Sequence, residues 1–204
     1  EVEKHSGVVL KGKPVSGETA DRMVLKKARW ILAKLDVVEV VSHDHITTGS
    51  RLPYLGKSYY TKLVVVPTAD RVDVVFTHSQ FLITVPSLRV EQETIQDAVN
   101  QFYRERALEK LPPRVEKLAR KTGFTHQGVQ IRRMTRRWGS CTATNRIILN
   151  TEAIKLPYTL IDYLIVHELV HTKIKDHSRS YWSLLARYVP NWKALDERMQ
   201  ELKM

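Results

Sequence analysis

One cysteine, Cys141, stands in 204 residues. An internal disulfide is therefore excluded, and so is a metal site built from several thiolates; any metal has to be held by histidines and carboxylates. Long apolar runs are missing too, since no stretch approaches the ~18 uninterrupted apolar residues of a membrane-spanning helix. The opening residues Glu1-Val2-Glu3-Lys4-His5 lack the basic-then-apolar layout of a secretory signal. No internal repeat or low-complexity linker divides the chain. These absences exclude a membrane partner and make the cytoplasm the expected address.

What is present is enough for a buried core: 43% of the residues are hydrophobic. The formal net charge is +11, and it is unevenly spread. Residues 101–140 hold eleven Lys or Arg against three Glu, a surplus of +8 in one central stretch. A solvated basic helix face followed by a basic strand accounts for it. The same stretch is compatible with DNA as a partner, with Arg132, Arg133 and Arg136 as the candidate contacts.

Periodicity gives the elements. Residues 16–35 carry Met23, Leu25, Ala28, Ile31, Leu32 and Leu35 at helical spacing after the turn-prone Ser16-Gly17. From 37 to 90 the texture turns to β-branched runs at 37–41, 63–66, 72–76 and 81–85, for which an antiparallel sheet is the simplest arrangement. Helical spacing returns over 92–121, where Pro112-Pro113 is expected to end one helix and begin another. Short strands are expected at 129–134 and 146–150, joined by a turn near Ala143-Thr144-Asn145. An apolar helix follows from Thr159, then two more over 180–188 and 192–203, separated by Pro190.

The apolar helix carries His167-Glu168-Leu169-Val170-His171. Residues four apart on a helix lie about 40° apart around the axis, so the two imidazoles can face one tetrahedral ion. Glu168 follows at about 100°, where it can reach a water without itself binding the metal, the place a general base must occupy. Such a set serves peptide-bond hydrolysis with Zn2+ as cofactor and a peptide or protein as substrate. A buried Glu between two buried His is costly if no metal compensates it. A third ligand is required. His177 is one candidate and needs the chain to turn near Lys175-Asp176, although Ile174 stands where a metzincin has Gly. Glu197 is the other and would give a two-His, one-Glu site.

Arg137-Trp138-Gly139-Ser140-Cys141, then Ile147-Ile148-Leu149-Asn150, Ile161-Asp162-Tyr163, the metal motif, His177-Ser178 and Tyr181-Trp182 together resemble the YgjP-like metallopeptidase family. The SprT-like proteases are similar at greater distance. The likeness is specific over 132–192; before it, Lys27-Ala28-Arg29-Trp30-Ile31 and Leu55-Gly56-Lys57 also suit the family. It implies zincin topology, zinc, and His167, His171 and His177 as ligands. Relatives often begin with a further basic β-hairpin, whereas this sequence enters midway through a strand.

Zincins of this kind align substrate as an added strand above the metal, so the strands flanking 142–145 are expected to receive it. Trp138, Ser140 and Cys141 are then substrate-binding candidates, with core packing as the plainer role for Trp138 and Cys141. Tyr163, Tyr181, Arg136 and Arg137 are open alternatives for stabilising an oxyanion. Asp162 and Asp176 are the carboxylates nearest the ligands, and Trp182 and Trp192 read as packing between the last helices. His43-Asp44-His45 reads as solvent-facing rather than as a second metal clip.

The expected fold is α+β: a zincin-like metallopeptidase domain with an antiparallel sheet and an active-site helix over 91–204, preceded by a β-rich region with one helix over 1–90. The expected activity is a zinc peptidase with Glu168 as the base. The alternatives are a protease recruited to DNA-bound proteins, or a metal-stabilised binding module without turnover.

Overall fold

The computed structural model describes residues 2–3, 7–8, 16–28 and 45–202. The chain divides into two compact units, Glu1–Thr47 and Thr48–Met204. In the first, β1 (Val2–Glu3) pairs antiparallel with β2 (Gly7–Val8), and helix α1 runs Gly17–Lys26. The helix read over 16–35 is seen as far as Lys26, where the Lys27 N–H bonds back to Val24 at 3.0 Å. Ile31, Leu32 and Leu35, the strand read at 37–41, most of the Lys27-to-Ile31 string, and His43 and Asp44 lie outside the described residues.

The second unit is α+β, as expected. Strands β3 (Arg51–Tyr54), β4 (Lys57–Val65), β5 (Asp73–Phe76) and β6 (Gln80–Val85) form one sheet in the order β3-β4-β6-β5. The pairing is not wholly antiparallel: β4 and β6 run parallel, in register from Tyr60 opposite Gln80 to Val65 opposite Val85. The reason is the route of the chain. After β4 it crosses to the far edge as β5, then returns as β6 into the position between them.

Helix α2 covers the sheet and runs unbroken from Gln92 to Thr122, where two helices were expected. Pro112 and Pro113 remove the N–H groups that would serve the carbonyls of Leu108 and Glu109. Both of those residues are exposed, so water can take the place of the missing donors, and burial of Ala107, Leu111 and Val115 holds the axis across the break. Phe102 and Tyr103 of this helix meet Phe81 of the sheet edge to face, with centroids 5.3 and 6.4 Å apart. Left-handed Gly123 (φ +74°) ends the helix.

The second sheet holds β7 (Val129–Arg132), β8 (Gly139–Cys141) and β9 (Ile147–Asn150) in the order β7-β9-β8. The turn at 142–145 therefore joins β8 to β9 rather than the two strands read from sequence, and β7 lies parallel to β9. Helices α3 (Tyr158–Val170), α4 (Arg179–Tyr188) and α5 (Trp192–Glu201) complete the unit. Apolar nearly all round, α3 is a core helix: Ile161, Ile165, Leu169 and Val170 have no exposed surface.

Two contacts fix α3 in place. The two-residue turn Leu55-Gly56, left-handed at both positions, joins β3 to β4. Its N–H groups donate to the Ile154 and Lys155 carbonyls at 3.0 and 2.9 Å. A Cβ on Gly56 would fall 2.5 Å from Cβ of Pro157, the residue that caps the helix start, so only glycine fits. The Arg114 guanidinium of α2 clasps the Asp162 carboxylate through both oxygens, Nη2 to Oδ2 at 2.8 Å. No helix among the described residues is long and apolar enough to cross a membrane.

Candidate metal centre

Helix α3 ends at Val170 and places His167 and Glu168 in its last turn, with His171 as the residue that caps it. The chain then turns at once: Thr172 and Ile174 donate back to the carbonyls of Leu169 and Val170. This turn comes earlier than the Lys175-Asp176 bend read from sequence. It lets the His171 Nδ1–H donate to the Ile174 carbonyl at 2.9 Å, which leaves Nε2 of that ring with a free lone pair. The backbone N–H of Ser178 donates to the Asp176 carboxylate at 3.1 Å and turns the chain a second time.

These turns bring His177 back to the helix. Its Nε2 lies 3.1 Å from Nε2 of His167 and 3.2 Å from Nε2 of His171. Three nitrogens on a tetrahedral zinc at 2.0–2.1 Å stand about 3.3–3.4 Å apart, so the three rings fit that ion. They are the one group of three or more potential ligands that converges among the described residues. Glu197, the rival third ligand, is exposed on α5 and outside this group.

Aromatic rings hold the imidazoles. Tyr181 stacks on His171 with centroids 4.5 Å apart, and its hydroxyl donates to the His167 carbonyl at 3.1 Å. Trp182 stacks on the exposed His177 at 5.5 Å and is itself stacked on Trp192 at 4.3 Å. The two tryptophans thus pack the last helices together and also reach the cluster. Burial pushes the His167 pKa down to about 3, and the neighbouring imidazoles add to the shift; burial lowers His171 as well.

Glu168 is only 4% exposed, and burial pushes its pKa up to about 8 against the opposing field of Arg137. Its carboxyl lies on Gly139 of β8, in a cleft of about 320 Å³ that Trp138 and His167 also line. The cleft wall is held by Asn150, a residue that sequence reasoning named within the Ile147-to-Asn150 string but gave no role. Fully buried at the end of β9, Asn150 donates through Nδ2 to the carbonyls of Met134 (2.7 Å) and Arg137 (3.0 Å). Its Oδ1 accepts from the N–H groups of Met134 and Glu152. Its backbone N–H donates to the Trp138 carbonyl at 2.8 Å. Asparagine at a strand end before a helical turn was the available signal.

The other candidates separate. Trp138 lines the cleft, whereas Ser140 and Cys141 do not. Cys141 lies 3.6 Å from the Lys175 ammonium, which donates to the Thr142 carbonyl (2.8 Å) and to Asn145 (2.6 Å) and so ties the ligand loop to the β8–β9 turn. Tyr163 donates to Asp196 at 2.7 Å, and Asp162 is engaged by Arg114. Arg132 and Arg133 line a different cavity together with Asp97 and Glu152, a surface of mixed sign, while Arg136 is exposed in the loop after β7. None of the three arginines lines the histidine cleft.

The model of the YgjP-like metallopeptidase domain matches residues 1–202. The chain belongs to the YgjP-like metallopeptidase family. Among solved structures it is similar to the metallopeptidase zymogen abylysin of Pyrococcus abyssi, with 24% identity over 43% of this chain and 90% of that one and a TM-score of 0.39. It is similar also to the metallopeptidase zymogen jannalysin of Methanocaldococcus jannaschii, with 21% identity over 43% and 90% and a TM-score of 0.38. No curated protein matches it. The YgjP-like assignment makes the chain a metallopeptidase by family.

Proposed function

We propose that the chain is a zinc peptidase in which His167, His171 and His177 hold the ion and Glu168 carries the proton. The observation that supports this most is the convergence of three imidazole Nε2 atoms at 3.1–3.2 Å, one of them on His167, which lines the same cleft as the buried Glu168 carboxyl. Zinc, when bound, acidifies water toward a pKa of ~7 and polarises a substrate carbonyl.

The protein's own groups do the rest. A dication beside Glu168 opposes the upward push of burial, so the residue serves as a carboxylate that takes a proton at Oε1 or Oε2 and returns it to the leaving amine. Among the described residues strand β8 is an edge of its sheet, bonded to β9 on one side only. An extended peptide added along it lies over Glu168, which is the arrangement that strand addition favours. Gly139, with no Cβ, lets the Glu168 carboxyl lie directly against that strand. A cytoplasmic setting accords with the lone thiol of Cys141.

The experiment is zinc content and cleavage of an unfolded protein by the purified chain, with and without a chelator. The reading expects near-stoichiometric zinc and turnover that is lost on chelation and restored by zinc. Zinc without turnover on any substrate would leave a metal-stabilised binding module instead.

A further inference from the structure

The cleft beside Glu168 does not stop at the metal cluster. On α3 it is lined by Tyr163, Leu164, His167 and Glu168, spaced as neighbours on one helical face, so it runs back along the helix for about 7.5 Å from Glu168 to Tyr163. Its far wall is α5, which contributes Asp196 and Met199. Leu164 and Met199 are buried and make the passage apolar.

At the far end stands a carboxylate held in a fixed orientation. The Tyr163 hydroxyl donates to Oδ1 of Asp196 at 2.7 Å, and Nε2 of Gln200 donates to Oδ2 at 2.7 Å. These bonds use two of the roughly four acceptor sites of an ionised carboxylate. Among the described residues no ion pair engages it: the pairs there join Arg106 and Lys110 to Glu109, Arg114 to Asp162, His126 to Glu116 and Lys155 to Glu152. Arg137 also lines the cleft, but it is exposed and its field acts on Glu168.

Resting on the zinc-peptidase reading, we propose that this cleft receives the substrate side chain next to the cleaved bond and selects a long basic one, Lys or Arg, with Asp196 as the residue that recognises its charge. The methylenes pass Leu164 and Met199, and the cationic end reaches the carboxylate beyond them. An acidic side chain meets Glu168 and Asp196, both of its own sign. A short apolar chain fills only the mouth and leaves Asp196 without a partner.

The test uses the zinc-loaded full chain and peptides that differ at one position beside the cleaved bond: Lys, Arg, norleucine, Leu or Glu. Norleucine has the stem of Lys without the charge. The expected result is a kcat/KM for Lys and Arg about tenfold or more above norleucine, with Glu lowest. Asp196→Asn should bring the Lys-to-norleucine ratio close to one, and Asp196→Glu should keep Lys ahead. Equal rates for Lys and norleucine in the unmodified chain would overturn the proposal and need no variant; so would a ratio that Asp196→Asn leaves unchanged. Binding of the same peptides to zinc-loaded Glu168→Gln protein separates the two levels of the argument. Turnover with no basic preference removes the cleft assignment and leaves the peptidase. Tighter binding of the Lys peptide with no turnover in the unmodified chain removes the peptidase and leaves the cleft.

Discussion

A Cβ built on Gly139 would stand 2.7 Å from Oε1 of Glu168 and 3.0 Å from its Cγ. Glycine in β8 is thus what allows an edge strand to lie against the buried acid. Gly139→Ala should push the Glu168 carboxyl out of its place and lower peptidase activity by about 10²-fold, while zinc stays bound because the strand holds no ligand. Zinc analysis beside a cleavage assay checks this; full activity in the alanine variant would contradict the packing described.

Asn150 is the clamp that keeps residues 134–138 over the cleft. Asn150→Ala strips two carbonyls and two N–H groups of their side-chain partners in a fully buried setting, so it should cost about 3 kcal/mol or more. Urea unfolding measures the loss. Asn150→Asp keeps the acceptor but sets a buried carboxylate oxygen against the Met134 and Arg137 carbonyls, so it should recover none of the loss.

Much of the site was legible because it sits on regular structure. Helical spacing alone placed His167, Glu168 and His171 on one apolar helix. The rest depends on tertiary contacts. Strand β8 is Gly-Ser-Cys, with no β-branched residue to announce it, and exists because β9 and Asn150 hold it. Pro112-Pro113 reads locally as a break, yet burial of the flanking positions carries the helix through. Parallel pairing of β4 with β6 follows from the crossing through β5, which no local pattern encodes. Asp196 and Glu197 are neighbours in sequence, and only the packing of α5 on α3 shows which of them faces the cleft.

The third ligand is tested by metal content. His177→Ala should lose zinc, since two imidazoles remain where three converge. Glu197→Ala should keep it. A zinc-replete His177→Ala protein beside a zinc-free Glu197→Ala protein would show that the outer helix supplies the ligand.

Protonation gives a prediction for the metal-free protein. The Glu168 pKa is raised from 4.5 to about 8, so between those values the folded state holds a proton that the unfolded state does not. Its contribution to stability is therefore full below 4.5 and is lost as pH rises through about 8. His167 acts oppositely: lowered from 6.5 to about 3, it favours the unfolded state progressively as pH falls below 6.5. Removing Glu168 isolates its share. The melting temperature of the unmodified chain minus that of Glu168→Gln, both metal-free, should increase as pH is lowered from 8 toward 4.5. A difference that does not move with pH would contradict the buried, neutral acid.

The central claim is that Glu168 moves the proton and does not hold the metal. Glu168→Gln preserves the side chain's shape, so the account predicts zinc at the level of the unmodified chain together with peptidase activity lowered about 10²-fold or more. Metal analysis and turnover measured on the same sample decide it. Undiminished cleavage, or loss of zinc with the substitution, would contradict the account.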